Sequence, residues 1–113
     1  ISESSPCMVR VIAAVLALAF ATPAFADAPI PVTLQNHRFT PNVIHVKANR
    51  PFAIHLFNKD ASADEFDSSA LKVEKVVSGN SDGIVRIRPL APGKYPFMGE
   101  YHSATAQGVV IAQ

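Results

Sequence analysis

Between Phe52 and Phe57 the chain alternates strictly, with Phe52, Ile54 and Leu56 pointing one way and Ala53, His55 and Phe57 the other. A period of two is the signature of a half-buried strand. The same alternation runs through Ile30 to Leu34, and further short apolar segments follow at Val43 to Val46, Leu71 to Val77, Ile84 to Ile87, Lys94 to Gly99 and Gly108 to Ile111. Turn chemistry separates them: Phe39-Thr-Pro, Asn49-Arg50-Pro51, a Gly, Asn and Asp-rich hairpin-type turn from Ser78 to Gly83, and Ala91-Pro92-Gly93. Asn58 to Ser69 reads as a polar loop with room for one helical turn, and Glu100 to Gln107 as a second loop. Helical periodicity is absent. Seven short strands spaced by turns predict an all-β sandwich filling residues 27–113 as one domain.

Residues 1–26 follow a different pattern. Arg10 is followed by an uninterrupted apolar run from Val11 to Ala21, and Ala24-Phe25-Ala26 has the small-x-small spacing of a signal-peptidase site. The run is about 11 residues, short of the ~20 that a spanning helix needs. The expectation is export to the periplasm with cleavage after Ala26. Met8 opens a compact leader, and residues 1–7 read as upstream sequence.

Charge narrows the partners. The chain carries ten Lys and Arg against nine Asp and Glu. Arg10 and Glu3 precede Asp27, so the net charge stays at +1 without the leader. That balance gives no reason to expect nucleic acid or an acidic membrane surface. The only cysteine, Cys7, lies ahead of the apolar run. The domain therefore has no disulfide and no thiolate to offer a metal.

Candidate chemistry concentrates near the end. On an extended strand Tyr95, Phe97 and Gly99 share one face, while Met98 and Glu100 share the other, with His102 next if the strand persists. Thioether, carboxylate and imidazole would then converge. Thioether favours Cu(I), imidazole suits copper or iron, and carboxylates prefer harder ions. Asp64, Asp67 and Glu74 are weaker candidates: Asp64 and Asp67 also read as loop polars or caps, and Glu74 beside Lys75 as half of a surface pair. His37, His45 and His55 face outward by pattern, and Asn58 and Asp60 read as turn formers. Ser68, Ser69 and Ser103 lack a nucleophile motif, and neither a phosphate-binding glycine loop nor a His-Glu-x-x-His is present.

Phe39-x-Pro-x-x-Ile44-x-Val46, Asn58-x-Asp60, Pro92-Gly93-x-Tyr95-x-Phe97, then His102 and Gly108 before a terminal apolar strand, resemble the cupredoxin pattern. The resemblance implies a Greek-key sandwich with a copper site at one end. It places His102 at the C-terminal histidine ligand, Gly99 at the cysteine, Gln107 near the axial methionine and Glu65 at the upstream histidine. A blue-copper carrier requires the thiolate, so the expected site is instead Glu65, Met98, Glu100 and His102, holding copper or iron.

A narrower resemblance joins two blocks, Asp64 to Val77 and Phe97 to Ala106. They are similar to small periplasmic cupredoxin-like proteins of bacterial ferrous-iron uptake. This implies an iron permease complex and a periplasmic iron-binding protein as partners. The rival readings are a copper carrier, a copper-dependent iron oxidase and a metal-free interaction domain.

Overall fold

Alternation sorts the side chains of residues 27–113, the part of the chain described by the computed structural model. The export signal and its cleavage point fall outside those residues. Nine strands form: β1 (Ile30–Gln35), β2 (Arg38–Thr40), β3 (Val43–Val46), β4 (Phe52–Asn58), β5 (Asp64–Ser68), β6 (Val73–Val77), β7 (Ser81–Ile87), β8 (Gly93–Gly99) and β9 (Gln107–Ala112). A 3₁₀ turn, Glu100–His102, follows β8. The strands make two sheets, β2-β1-β4-β7 and β3-β9-β8-β5-β6. Pairing is parallel for β1 with β4 and for β3 with β9, and antiparallel elsewhere. The all-β sandwich expected from alternation is present, with two strands more than the seven read from the pattern.

Those two strands correct the reading in instructive ways. β2 has only three residues, too few to show alternation, and is held by the hairpin turn Asn36-His37. Both turn residues have positive φ, 55° and 57°, the left-handed pair that a tight hairpin demands. β5 was expected to be loop because its sequence, Asp-Glu-Phe-Asp-Ser, holds one apolar residue. Its inward positions are Asp64, Phe66 and Ser68, all buried. Ser68 is satisfied by donating to the Pro96 carbonyl at 2.7 Å and accepting from the Leu71 amide at 2.9 Å. A buried polar residue with partners costs little, so a strand can hide behind polar sequence.

The segment Ser78 to Gly83 differs too. β6 and β7 belong to different sheets, so this link crosses between them rather than closing a hairpin. Gly79 is required there: a Cβ would lie 2.0 Å from the Ala61 carbonyl oxygen.

Val32, Leu34, Ile54, Leu56, Phe66, Phe97 and Val110 are among the residues that fill the space between the sheets. Phe39, Phe66 and Phe97 form an aromatic trio, with centroids 4.8 to 6.0 Å apart. Burying a phenylalanine is worth about 1.5–3 kcal/mol. The trio also aims the site: with Phe66 and Phe97 inward, Glu65, Asp67 and Met98 must face out.

Candidate metal centre

β5 lies against only the last residues of β8, with Phe66 opposite Gly99 and Asp67 opposite Met98. On its other side Asp67 faces Glu74 of β6, and Glu65 faces Val76. The outer face of the sheet thus carries a row Glu74-Asp67-Met98, beside which Glu65 stands near Glu100 at the start of the 3₁₀ turn. Carboxylate oxygens of Glu65, Asp67 and Glu100 all lie within 4.8 Å of one another. Met98 is 39% exposed, so its thioether is open to solvent on the same face.

This face is electrostatically frustrated. Asp67 and Glu74 are like charges directly across strands, a destabilising arrangement. A hydrogen bond from Glu65 to Glu100 raises the Glu65 carboxyl to about 7. Desolvation and the charges of Glu100, Glu74 and Asp67 push in the same direction. A cation bound between carboxylates placed this closely would take the place of a proton. The ion pairs among the described residues use other acids, namely Asp27, Asp60, Asp64 and Asp82. Lys75 does not neutralise Glu74: it stands opposite Phe66, and its Cε lies 3.4 Å from where a Gly83 Cβ would be.

His102 stands apart from this group. β8 ends at Gly99, and the 3₁₀ turn that follows carries the imidazole to Asp64. There Nδ1 lies 3.0 Å from Oδ2 of Asp64. Asp64 is 2% exposed, and its Oδ1 also accepts the amides of Glu65 at 2.8 Å and Tyr101 at 3.0 Å. The loop closes by the Ala106 amide donating to the His102 carbonyl and the Gly99 amide to the Ala106 carbonyl, both at 2.9 Å. The His37 ring stacks on His102, centroids 3.7 Å apart and planes 11° from parallel. Asp60 completes the cluster. It accepts the amides of Asn36 at 2.7 Å and His37 at 2.9 Å, and lies 3.4 Å from His37 Nδ1. Burial pushes the Asp60 carboxyl up, but these amides and the nearby His37 and His102 outweigh it and hold it below its usual value.

The residues do not fit a blue-copper ion. Gly99, at the position of the cysteine by resemblance, has no room for a side chain: a Cβ would lie 2.6 Å from Asp64 Oδ2 and 2.9 Å from the Ala106 Cβ. Asp64 occupies that space, and its carboxylate takes His102 Nδ1 as a hydrogen-bond partner. Gln107, near the axial position, donates instead to the Ser103 carbonyl at 2.8 Å.

Of the residues expected at the site, Glu65, Glu100 and Met98 share the outer face, joined by Asp67 and bordered by Glu74. Asp64 and His102 form a second cluster behind it. His37 and Asp60 were not expected there. The sequence signals are the Asn36-His37 turn for the one and the Asn58-x-Asp60 turn pattern for the other, and their location next to His102 depends on the packing of the two sheets. His45 is exposed on an edge strand, and His55 pairs with Asp82 at 2.6 Å on the other sheet.

A protein-family model described as the cupredoxin-like domain matches residues 8–112. The chain is 34% identical over 82 residues to the uncharacterized protein RP394 of Rickettsia prowazekii (strain Madrid E), covering 73% of this chain and 66% of that protein's length. Among solved structures, it is similar to the metal binding domain of the Cu(I) exporting P-type ATPase CopA from Streptococcus pneumoniae D39, determined with Cu(I), at a TM-score of 0.70 and 13% identity, covering 81% of this chain and 91% of that one. A Cu(I) form of an amicyanin variant gives a TM-score of 0.58 at 19% identity, covering 79% and 86% of the two chains. At those identities the structural likeness speaks for the fold. Fold and family model agree, and the chain belongs to the cupredoxin-like domain family.

Proposed function

We propose that this domain binds copper or iron on the outer face of its five-stranded sheet and serves ferrous-iron acquisition in the periplasm, as an accessory of an iron permease complex. The observation that carries metal binding is the approach of Glu65, Asp67 and Glu100, whose carboxylate oxygens lie within 4.8 Å of one another. Hard carboxylate oxygens suit an Fe(II)-like ion, and Met98 adds a soft donor on the same face for Cu(I). The link to iron uptake rests on the likeness of Asp64 to Val77 and Phe97 to Ala106 to proteins of that process. A copper carrier is the second reading, favoured by the exposed Met98 and by the Cu(I) bound in the similar ATPase domain.

Redox turnover would make the domain an enzyme. Steady-state Fe(II) oxidation by the copper-loaded protein tests that extension separately. The function itself is tested by the metal content of protein purified from its native compartment without an affinity tag, together with the neighbouring genes. Iron, or copper with iron, beside a permease gene supports the proposal. Copper alone beside copper-resistance genes selects the carrier, and metal-free protein overturns both.

A further inference from the structure

Charge is balanced over the chain but not over the fold. The turn between β3 and β4, the link between β7 and β8 and the residues before β1 meet at one end of the sandwich, opposite the end that carries Asp64 and His102. Backbone hydrogen bonds join these loops: the Asn49 amide donates to the Leu90 carbonyl at 2.7 Å, and the Gln113 amide to the Val46 carbonyl at 3.1 Å. Lys47, Arg50, Arg86, Arg88 and Lys94 stand at this end, all of them exposed. The carboxylate side chain there is Asp27, 3.7 Å from Arg50. The rest of residues 27–113 carries four bases, Arg38, Lys59, Lys72 and Lys75, against seven acids. A chain of net charge +1 therefore folds into a domain with a basic pole and an acidic pole, a polarity that the net charge conceals.

Two clefts open at the basic pole and share Pro51 and Phe52. Pro29 and Ile87 line the one beside Arg86, and Lys47 and Arg50 border the other. Cations around apolar walls suit an anion carried on hydrocarbon better than a bare one. Nucleic-acid bases need exposed aromatic faces to stack on, whereas Phe52 and Tyr95, the rings at this end, are half-buried against the core. The chain also enters the domain here. In sequence the apolar run ends at Ala21, six positions before Asp27, a reach of about 20 Å at full extension. A leader seated in a bilayer thus delivers the domain with this pole toward the lipid. We propose that the basic pole docks on an anionic phospholipid surface, chiefly through Lys47, Arg86 and Lys94. Arg50 is engaged by Asp27, and Arg88 by the Leu71 and Ala70 carbonyls, so these two contribute less. The same surface repels the acidic pole, and the docked domain turns Glu65, Asp67 and Glu100 toward the aqueous side. The inference does not rest on metal binding at that face.

Cosedimentation of the full chain with vesicles of phosphatidylcholine, or of phosphatidylcholine mixed with phosphatidylglycerol, reads the docking. The apolar run is common to every sample, so the preference for the anionic vesicles isolates the part due to charge. The expected result is such a preference at low salt, fading at about 1 M salt, where the Debye length is about 3 Å. Lys47→Gln, Arg86→Gln and Lys94→Gln should each lower it by about fivefold, the usual contribution of one base at a charged lipid surface. The triple variant should lose most of it while circular dichroism shows the fold intact. Arg38→Gln/Lys59→Gln removes two positive charges from the opposite end and should leave the preference unchanged. Equal binding of the parent to both vesicle types, or an equal loss in the Arg38→Gln/Lys59→Gln and triple variants, overturns the proposal. Loss of self-association in the triple variant, with lipid preference unchanged, overturns it as well and assigns the basic pole to the acidic pole of a second copy.

Discussion

Asp64 fills the space into which a side chain on Gly99 would point, its Oδ2 lying 2.6 Å from an ideal Cβ there. In a sandwich of this family that is where a thiolate would reach a copper ion, and here the room is taken by a buried carboxylate. Gly99→Ala should therefore cost about 1–3 kcal/mol through overpacking, measured by urea denaturation. Gly99→Cys should be destabilised as well and should not turn intensely blue with Cu(II). The unaltered protein should show only weak ligand-field absorption and an EPR spectrum without the narrow hyperfine splitting of a thiolate site.

Removing Asp64 acts in the opposite sense, by leaving donors without an acceptor. Asp64→Ala strands the amides of Glu65 and Tyr101 and the Nδ1 of His102. Each buried unpaired donor costs about 1–3 kcal/mol. A total loss of roughly 3 kcal/mol is expected, with water satisfying part of the set. Hydrogen exchange should speed up first at Tyr101 and Glu65, while the core amides of β4 keep their protection relative to global unfolding.

The acidic face gives stability a direction with pH. Glu65 is raised from 4.5 to about 7 in the folded protein. Between those values the folded state binds more protons than the unfolded state, so the metal-free protein loses stability as pH rises through this window. Thermal unfolding should show Tm falling from pH 5 to pH 8 for the apo protein. Glu65→Gln should remove that dependence, and a divalent cation should restore Tm at pH 8 but not at pH 5.

Much of this was legible in the sequence, for a physical reason. Where a strand buries apolar residues, as at Ile54 and Leu56, the period of two is written in hydrophobicity. The outward pairing of Met98 with a carboxylate follows from the inward Phe97 in the same way. β5 was not legible because Asp64 and Ser68 are buried as polar residues whose partners come from distant segments. His102 was expected beside Glu100. The 3₁₀ turn after Gly99 breaks the alternation, and Asp64, 38 residues away, draws the ring elsewhere. His37 reaches His102 only because one sheet's hairpin turn meets the other sheet's loop, which no local pattern encodes.

Export is read from the positive charge of Arg10, the apolar run Val11 to Ala21 and Ala24-Phe25-Ala26. Intact mass of the protein from the periplasmic fraction should correspond to a chain starting at Asp27. A membrane-bound product that retains the apolar run would contradict it.

The central claim is that Glu65 and Glu100, with Asp67 and Met98 beside them, form a cation site on the outer face of the sheet. Anaerobic calorimetric titration of Fe(II), at pH 8 and again at pH 6, tests it most directly. The account predicts saturable binding at pH 8, proton release that grows toward pH 6 as the Glu65 proton is displaced, and loss of binding in Glu65→Gln/Glu100→Gln with the fold intact. Equal Fe(II) affinity in the parent and the double variant, with no proton release from either, would contradict it.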